Sequence, residues 1–94
     1  MKISVEFTGY ARHLIGLKDI PLEFEASPTY GEIIHDLGIR FPVLIGLLID
    51  PGGDALMSGN LFIVNGDMGT AAMDMKGRPK DGERLILMSL ITGG

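Results

Sequence analysis

Apolar and polar residues alternate strictly at the start of the chain. Between residues 2 and 8 every second position is apolar, at Ile3, Val5 and Phe7. This period of two is typical of a strand that buries one face. The alternation returns at residues 19–25, after a connection at 9–18, so the two segments predict an N-terminal hairpin.

The second of these segments contains Pro21. Proline has no N–H to donate to a neighbouring strand, so it is found mainly in strands at the edge of a sheet. We therefore expect the strand at 19–25 to lie at an edge.

A helix is predicted over residues 29–40. Thr29 and Glu32 have the spacing of a capping box, in which each side chain bonds the other residue's backbone N–H. Pro42 disfavours a helical conformation at the residue before it, which ends the helix. Apolar residues follow at helical spacing, namely Tyr30, Ile33, Ile34, Leu37 and Phe41. This stripe would pack on the sheet.

The next apolar run, at residues 43–49, fits either a short helix or a buried strand, and its periodicity does not decide between them. A short strand is predicted at 61–64, ending in the hairpin-turn pair Asn65-Gly66. Residues 68–75 are poorly patterned, and a turn is expected at 80–83. The last strand, 85–91, is apolar on both faces, which is typical of a central strand.

The order of these elements predicts an α+β fold of the β-grasp, or ubiquitin-like, type. A mixed sheet of four to five strands would carry one main helix on one face, with the first and last strands associated. We expect one domain over residues 1–94, with a flexible Gly-Gly tail at about 91–94.

Composition narrows the possible functions. The chain has 94 residues, a formal net charge of −4 and no cysteine, which excludes disulfides, thiolate metal sites and a cysteine nucleophile. Because its basic residues are scattered, we expect no nucleic-acid partner. No apolar run approaches the roughly 20 residues that span a bilayer, and the first residues lack a signal-peptide pattern. His13 and His35 lie in different segments, so no metal site is expected. We expect a cytoplasmic protein with no membrane partner.

Three stretches carry a resemblance to a known family. They are VEFTGYARHLIG at 5–16, FIVNG at 62–66, and KDGERL at 80–85 followed by TGG at 92–94. In this order they resemble the MoaD/ThiS family of ubiquitin-like sulfur carriers, of the molybdopterin synthase small subunit type. The resemblance spans nearly the whole chain.

The resemblance implies a function for the C-terminal carboxylate. A ubiquitin-activating-like adenylating enzyme would use ATP to adenylate Gly94, and a sulfur donor protein would convert the adenylate to a thiocarboxylate. The larger molybdopterin synthase subunit would then use that sulfur in molybdenum cofactor biosynthesis. The chain would bind no cofactor and would not be catalytic alone. A thiamine-type carrier, a lysine-conjugated modifier and a scaffold domain with an incidental Gly-Gly end remain alternatives; the length favours the molybdopterin branch over the shortest thiamine carriers.

The chain end suits this chemistry. A free carboxylate is a poor electrophile, so it must enter another protein's active site to be activated. Gly93 has no Cβ and allows close backbone approach there. Residues 91–94, fully extended, would reach roughly 13 Å.

A docking patch for the partner proteins is expected beside the tail. Leu85, Leu87 and Ile91 form one face of the last strand, and they are either plain core or part of this patch. Thr8 and Phe62 are expected near the same patch, with Thr92 continuing it towards the glycines.

Overall fold

The computed structural model describes residues 1–72 and 74–89, and only the backbone of 67–70. The described elements are β1 (Lys2–Phe7), α1 (Gly9–Ile15), β2 (Asp19–Glu23), α2 (Tyr30–Arg40), a 3₁₀ turn (Pro42–Leu44), β3 (Asn60–Val64), β4 (Asp67–Ala71) and β5 (Arg84–Ser89). No helix in this part of the chain is long and apolar enough to cross a membrane.

The five strands form one mixed sheet in the order β2-β1-β5-β3-β4. β1 and β5 are parallel, and the other neighbours are antiparallel. The prediction that the first and last strands associate is confirmed, as is the central place of the last strand. β2 lies at an edge, and Pro21 is opposite Ser4 of β1. The missing backbone N–H of Pro21 therefore does not disrupt the hydrogen bonds between the central strands.

The predicted helix is α2, and its capping box is present. The Thr29 hydroxyl accepts a hydrogen bond from the Glu32 N–H at 3.1 Å, and the Glu32 carboxylate accepts one from the Thr29 N–H at 2.9 Å. These bonds satisfy backbone donors that the first helical turn leaves unpaired. α2 ends at Arg40, two residues before Pro42.

The hairpin between β3 and β4 also follows the sequence. Asn65 has φ +52° and Gly66 has φ +77°, so both central residues adopt the left-handed conformation of a type I′ turn. β4 itself, which begins right after this turn, lies in the segment whose weak pattern gave no prediction.

Two predictions about connections need correction. Residues 9–18 contain helix α1, which spans only seven residues and buries only Ala11. Such a short helix leaves too little apolar pattern to be recognised. Residues 43–49 form neither a regular helix nor a strand. They continue from the 3₁₀ turn into hydrogen-bonded turns, with an N–H of Leu48 bonded to the Leu44 carbonyl at 2.9 Å.

The core lies between the inner face of the sheet and α2, closed by α1 and the turns after α2. Phe7 of β1 meets Phe41 edge to face, with ring centroids 5.7 Å apart. Burial of each large apolar side chain stabilises the fold by about 1.5–3 kcal/mol. The core side chains that are largest and most fully buried are Phe7, Phe62, Leu22, Ile33, Ile34, Leu37, Leu44, Leu48, Ile49, Leu85, Leu87 and Val5.

Candidate functional site at the end of β5

The predicted reactive end of the chain lies outside the described residues. This applies to Ile91, Thr92, Gly93 and Gly94, and to the expected tail at 91–94. The structure describes the chain up to Ser89, the last residue of β5. The surroundings of that strand end therefore define the candidate site.

Thr8 lies beside the end of β5. Its hydroxyl donates a hydrogen bond of 2.9 Å to the carbonyl of Leu87, a residue 79 positions away in sequence. The same hydroxyl makes no capping bond to α1, although Thr8 is the N-cap residue. Thr8 thus fastens the start of α1 to β5. A bond of this kind contributes about 0.5–1.5 kcal/mol net.

The predicted docking patch is wrong for three of its members. Phe62, Leu85 and Leu87 are each 0% exposed and belong to the core. Phe62 is directly opposite Leu87, so both side chains point to the inner face, towards the helices. Of the two interpretations of Leu85 and Leu87, plain core is the one that the structure supports.

The outer face of the sheet is also apolar at its centre. On that side Met88 is opposite Leu61, and Ile86 is opposite Ile63. Leu61, Ile86 and Met88 are half-buried, and Ile63 is buried although it lies outside the core cluster. We call these four residues the outer apolar face. Alternation separates the two faces of β5, but it does not say which faces the helices when both are apolar.

An open cleft adjoins the end of β5. It has a volume of about 360 Å³, and its lining includes Tyr10, Leu47, Leu48, Met57, Asn60 and Ser89. We call it the tail-exit cleft, because it is lined by Ser89, the last described residue before the tail. Tyr10 is 51% exposed and Leu47 is 46% exposed. Neither residue was among the predicted site residues, since exposure of an isolated apolar residue leaves no periodic pattern.

Backbone and side-chain hydrogen bonds hold the walls of this cleft. The N–H of Met57 donates to the Leu48 carbonyl at 2.8 Å, which joins the two loops. The side-chain amide of Asn60 donates to the Met57 carbonyl at 3.2 Å. Leu48 itself is buried in the core and anchors the turn that exposes Leu47. Hydrogen bonds and core packing therefore hold the lining of the cleft in place.

The other end of β5 is fixed by a buried carboxylate. Glu83 accepts hydrogen bonds from the Lys80 N–H at 3.0 Å and from the Tyr30 hydroxyl at 3.4 Å. Burial raises the pKa of Tyr30, and the neighbouring Glu83 carboxylate raises it further. The N–H of Gly82 donates to the Lys2 carbonyl at 2.6 Å. The KDGE turn thus sets where β5 enters the sheet, at the end away from the tail.

No protein-family model and no curated protein sequence matches the chain. Solved structures do match. Small archaeal modifier protein SAMP1 from Haloferax volcanii superposes with a TM-score of 0.81 at 18% identity, over 100% of both chains. A putative molybdopterin converting factor, subunit 1, from Pyrococcus furiosus gives 0.69 at 18% identity, covering 97% of this chain and 99% of that one. Urm1 from Trypanosoma brucei gives 0.70 at 25% identity, covering 99% and 95%.

These likenesses confirm the predicted fold. The chain has the β-grasp architecture of ubiquitin-like proteins, with a mixed sheet and helices on one side. The solved structures that it resembles are those of MoaD/ThiS-type proteins, the group that the sequence motifs indicate. At identities of 18–25% the likeness establishes the architecture.

Proposed function

We propose that this chain is a ubiquitin-like sulfur carrier that donates sulfur in molybdopterin biosynthesis, as the small subunit of molybdopterin synthase. One observation carries the part of the proposal that concerns activation of the C-terminal glycine. The chain shares its fold over its full length with small archaeal modifier protein SAMP1, and Gly93-Gly94 follow the central strand β5 by a few residues. The name of the Pyrococcus furiosus protein supports the molybdopterin branch.

The proposed chemistry takes place at the Gly94 carboxylate. A carboxylate oxygen attacks the α-phosphate of ATP in the adenylating enzyme, and pyrophosphate leaves. The terminal sulfur of a persulfide on the donor protein then displaces AMP from the acyl carbon, which gives an acyl disulfide. A thiol attacks the donor's own sulfur and breaks the S–S bond, so the carrier leaves as a thiocarboxylate and a disulfide remains on the donor side. No group of the folded body is needed as acid or base. The body presents the tail and binds the partner proteins.

The outer apolar face is the proposed docking surface for the larger synthase subunit. It lies on β5 and β3, and Met88 is next to the last described residue of the strand. A subunit that covers this face would therefore lie next to the point where the tail begins. The half-buried side chains of Leu61, Ile86 and Met88 supply the apolar centre that such interfaces contain. This proposal replaces the patch through Leu85 and Leu87.

A protein modifier is the second candidate function. The superposition on small archaeal modifier protein SAMP1, at a TM-score of 0.81, is better than that on the molybdopterin converting factor, at 0.69. Both candidates require the same adenylation of Gly94. They differ in the group that is transferred and in its acceptor. In one case sulfur passes to a pterin precursor, and in the other the Gly94 acyl group passes to a lysine amine and forms an amide.

Two measurements test the shared step. Intact mass of the protein from its native host should show a form in which one sulfur replaces one oxygen at Gly94. Deletion of Gly94 should abolish ATP–pyrophosphate exchange with the adenylating enzyme, because the carboxylate then stops short of the α-phosphate. Gly93→Val should act similarly through bulk near the reacting group. Circular dichroism should show a native fold for both variants.

Full exchange by the chain that lacks Gly94 would contradict the carrier function and favour the scaffold alternative. The acceptor can be tested separately by mixing the thiocarboxylated chain with the larger synthase subunit and pterin precursor. Dithiolene formation supports the synthase, whereas lysine-linked adducts in the native host without dithiolene formation support the modifier.

A further inference from the structure

The tail-exit cleft has features that the core does not require. Tyr10 and Leu47 flank it, and about half of each side chain is exposed to water. Exposure of large apolar side chains around a concave surface is typical of an interaction site. The fold does not require an apolar side chain at position 10 or 47, because the neighbouring residues Ala11 and Leu48 are buried and anchor these segments.

The chemistry of the cleft favours an apolar protein side chain as its occupant. Its described lining is largely apolar, with polar contributions from Ser58, Asn60 and Ser89, and contains no charged residue. A volume of about 360 Å³ is near the lower end of ligand pockets, which run from about 300 to 1,000 Å³. Anchor residues at protein interfaces fill pockets of this kind.

The length of the tail limits the distance between the end of β5 and any enzyme that acts on Gly94. Five residues, 90–94, follow Ser89. A fully extended chain rises at most about 3.6 Å per residue, so Gly94 lies no more than about 18 Å from Ser89. A protein that acts on the Gly94 carboxylate must therefore hold its reacting groups within about 18 Å of Ser89. Ser89 lines the cleft, so the cleft lies on the part of the surface that such a protein approaches.

We propose that the tail-exit cleft receives an apolar side chain of the adenylating enzyme, from the surface that borders the channel for the tail. The inference rests on the proposed adenylation of Gly94. It is independent of the acceptor, because the pterin and lysine branches share this step. Docking in the cleft would orient β5 towards the channel. It would thereby lower the entropic cost of ordering the tail when the tail enters the channel.

The position of the cleft is held by contacts already described. Thr8 joins the first turn of α1, which carries Tyr10, to the Leu87 carbonyl. The bond between Met57 and Leu48 joins the two loops that form the rest of the lining. Asn60, which bonds Met57, is opposite Ser89 of β5. Both parts of the lining are thereby fixed relative to β5, as a preorganised docking site requires.

The test is Leu47→Asp in ATP–pyrophosphate exchange, with the ubiquitin-activating-like enzyme of the same genome as the probe. We expect the KM for the carrier to rise about tenfold or more with kcat nearly unchanged, because a charge would replace an apolar contact. Tyr10→Ser, in the part of the lining that α1 supplies, should raise KM in the same way. Ile39→Asp is the matched control. Ile39 is 66% exposed and lines a different cavity, so this variant should keep the wild-type KM.

Thermal unfolding of each variant establishes that it is folded at the assay temperature. Should Leu47→Asp and Tyr10→Ser both fold and keep the wild-type KM, the docking inference is overturned. Equal increases in KM for Ile39→Asp would overturn it as well, since the effect would then reflect charge alone. The proposed function fails on a different result, namely full exchange after deletion of Gly94.

Discussion

The two faces of β5 have nearly the same composition and opposite surroundings. Leu85 and Leu87 on the inner face are completely buried beneath the helices. Ile86 and Met88 on the outer face are half-buried, although they alternate with the first pair along one strand. Hydrophobicity alone therefore does not distinguish a core position from a half-buried position on the outer face. What separates them is the element that covers each face.

The largest expected effect comes from charging the inner face. Leu87→Asp would place an unpaired carboxylate in the core, which should reduce the free energy of unfolding by about 3–5 kcal/mol or more. Such a loss approaches the whole stability of a small domain. Urea unfolding followed by circular dichroism should show a strongly reduced midpoint or an unfolded chain.

Met88→Asp is the matched variant on the outer face. We expect it to change the free energy of unfolding by about 1 kcal/mol or less, because the new carboxylate can reach water. Affinity for the larger synthase subunit, measured by calorimetry, should fall by about tenfold or more. The proposed difference between the two faces would be contradicted if Met88→Asp unfolded the chain or if Leu87→Asp left its stability unchanged.

A smaller effect is expected where α1 is fastened to β5. Thr8→Val keeps the shape of the side chain and removes the hydroxyl that donates to the Leu87 carbonyl. The free energy of unfolding should fall by about 1 kcal/mol. Hydrogen exchange should also increase more at the first turn of α1 than in α2. An equal increase in hydrogen exchange throughout the chain would mean that Thr8 does not hold α1 locally.

The smallest effect concerns the helix that covers the inner face. Hydrogen bonding to Thr29 lowers the pKa of the Glu32 carboxyl. The ionised form is thus favoured in the folded state, so its contribution is fully present above the ordinary carboxyl pKa. It is lost as the pH falls through the lowered pKa.

Glu32→Gln tests this pH dependence, because the glutamine oxygen accepts the same bond without titrating. The variant should have nearly the wild-type Tm near neutral pH. Between about pH 6 and about pH 3, its Tm should fall slightly less than that of the wild type. A parallel decline of the two proteins would show that the capping carboxylate is not linked to acid stability.

The sequence predicted the elements that have strong local signals. The capping box placed α2, Asn65-Gly66 placed the β3–β4 hairpin, and Pro21 placed β2 at an edge. Each of these signals acts within a few residues, through a fixed φ, a missing donor or a side-chain bond.

The sequence did not predict features that depend on tertiary contacts. α1 is too short for a periodic pattern, and the Thr8 hydroxyl reaches a carbonyl 79 residues away. The sequence left open whether Leu85 and Leu87 of β5 are core or docking residues, because both faces of the strand are apolar. The tail-exit cleft joins α1, two loops and the end of β5, so no single stretch of sequence contains it. The glycine tail itself stays a prediction.

The parallel pairing of β1 with β5 has a consequence for biosynthesis. The ribosome makes β1 first and β5 last of the five described strands, yet β5 is the strand that joins β1 to β3. Until β5 emerges, the nascent chain has two separate strand pairs and an incomplete core, with unpaired edges that can associate with other chains. Closing so long a loop also slows folding. The whole sheet can therefore form only after β5 has emerged from the ribosome.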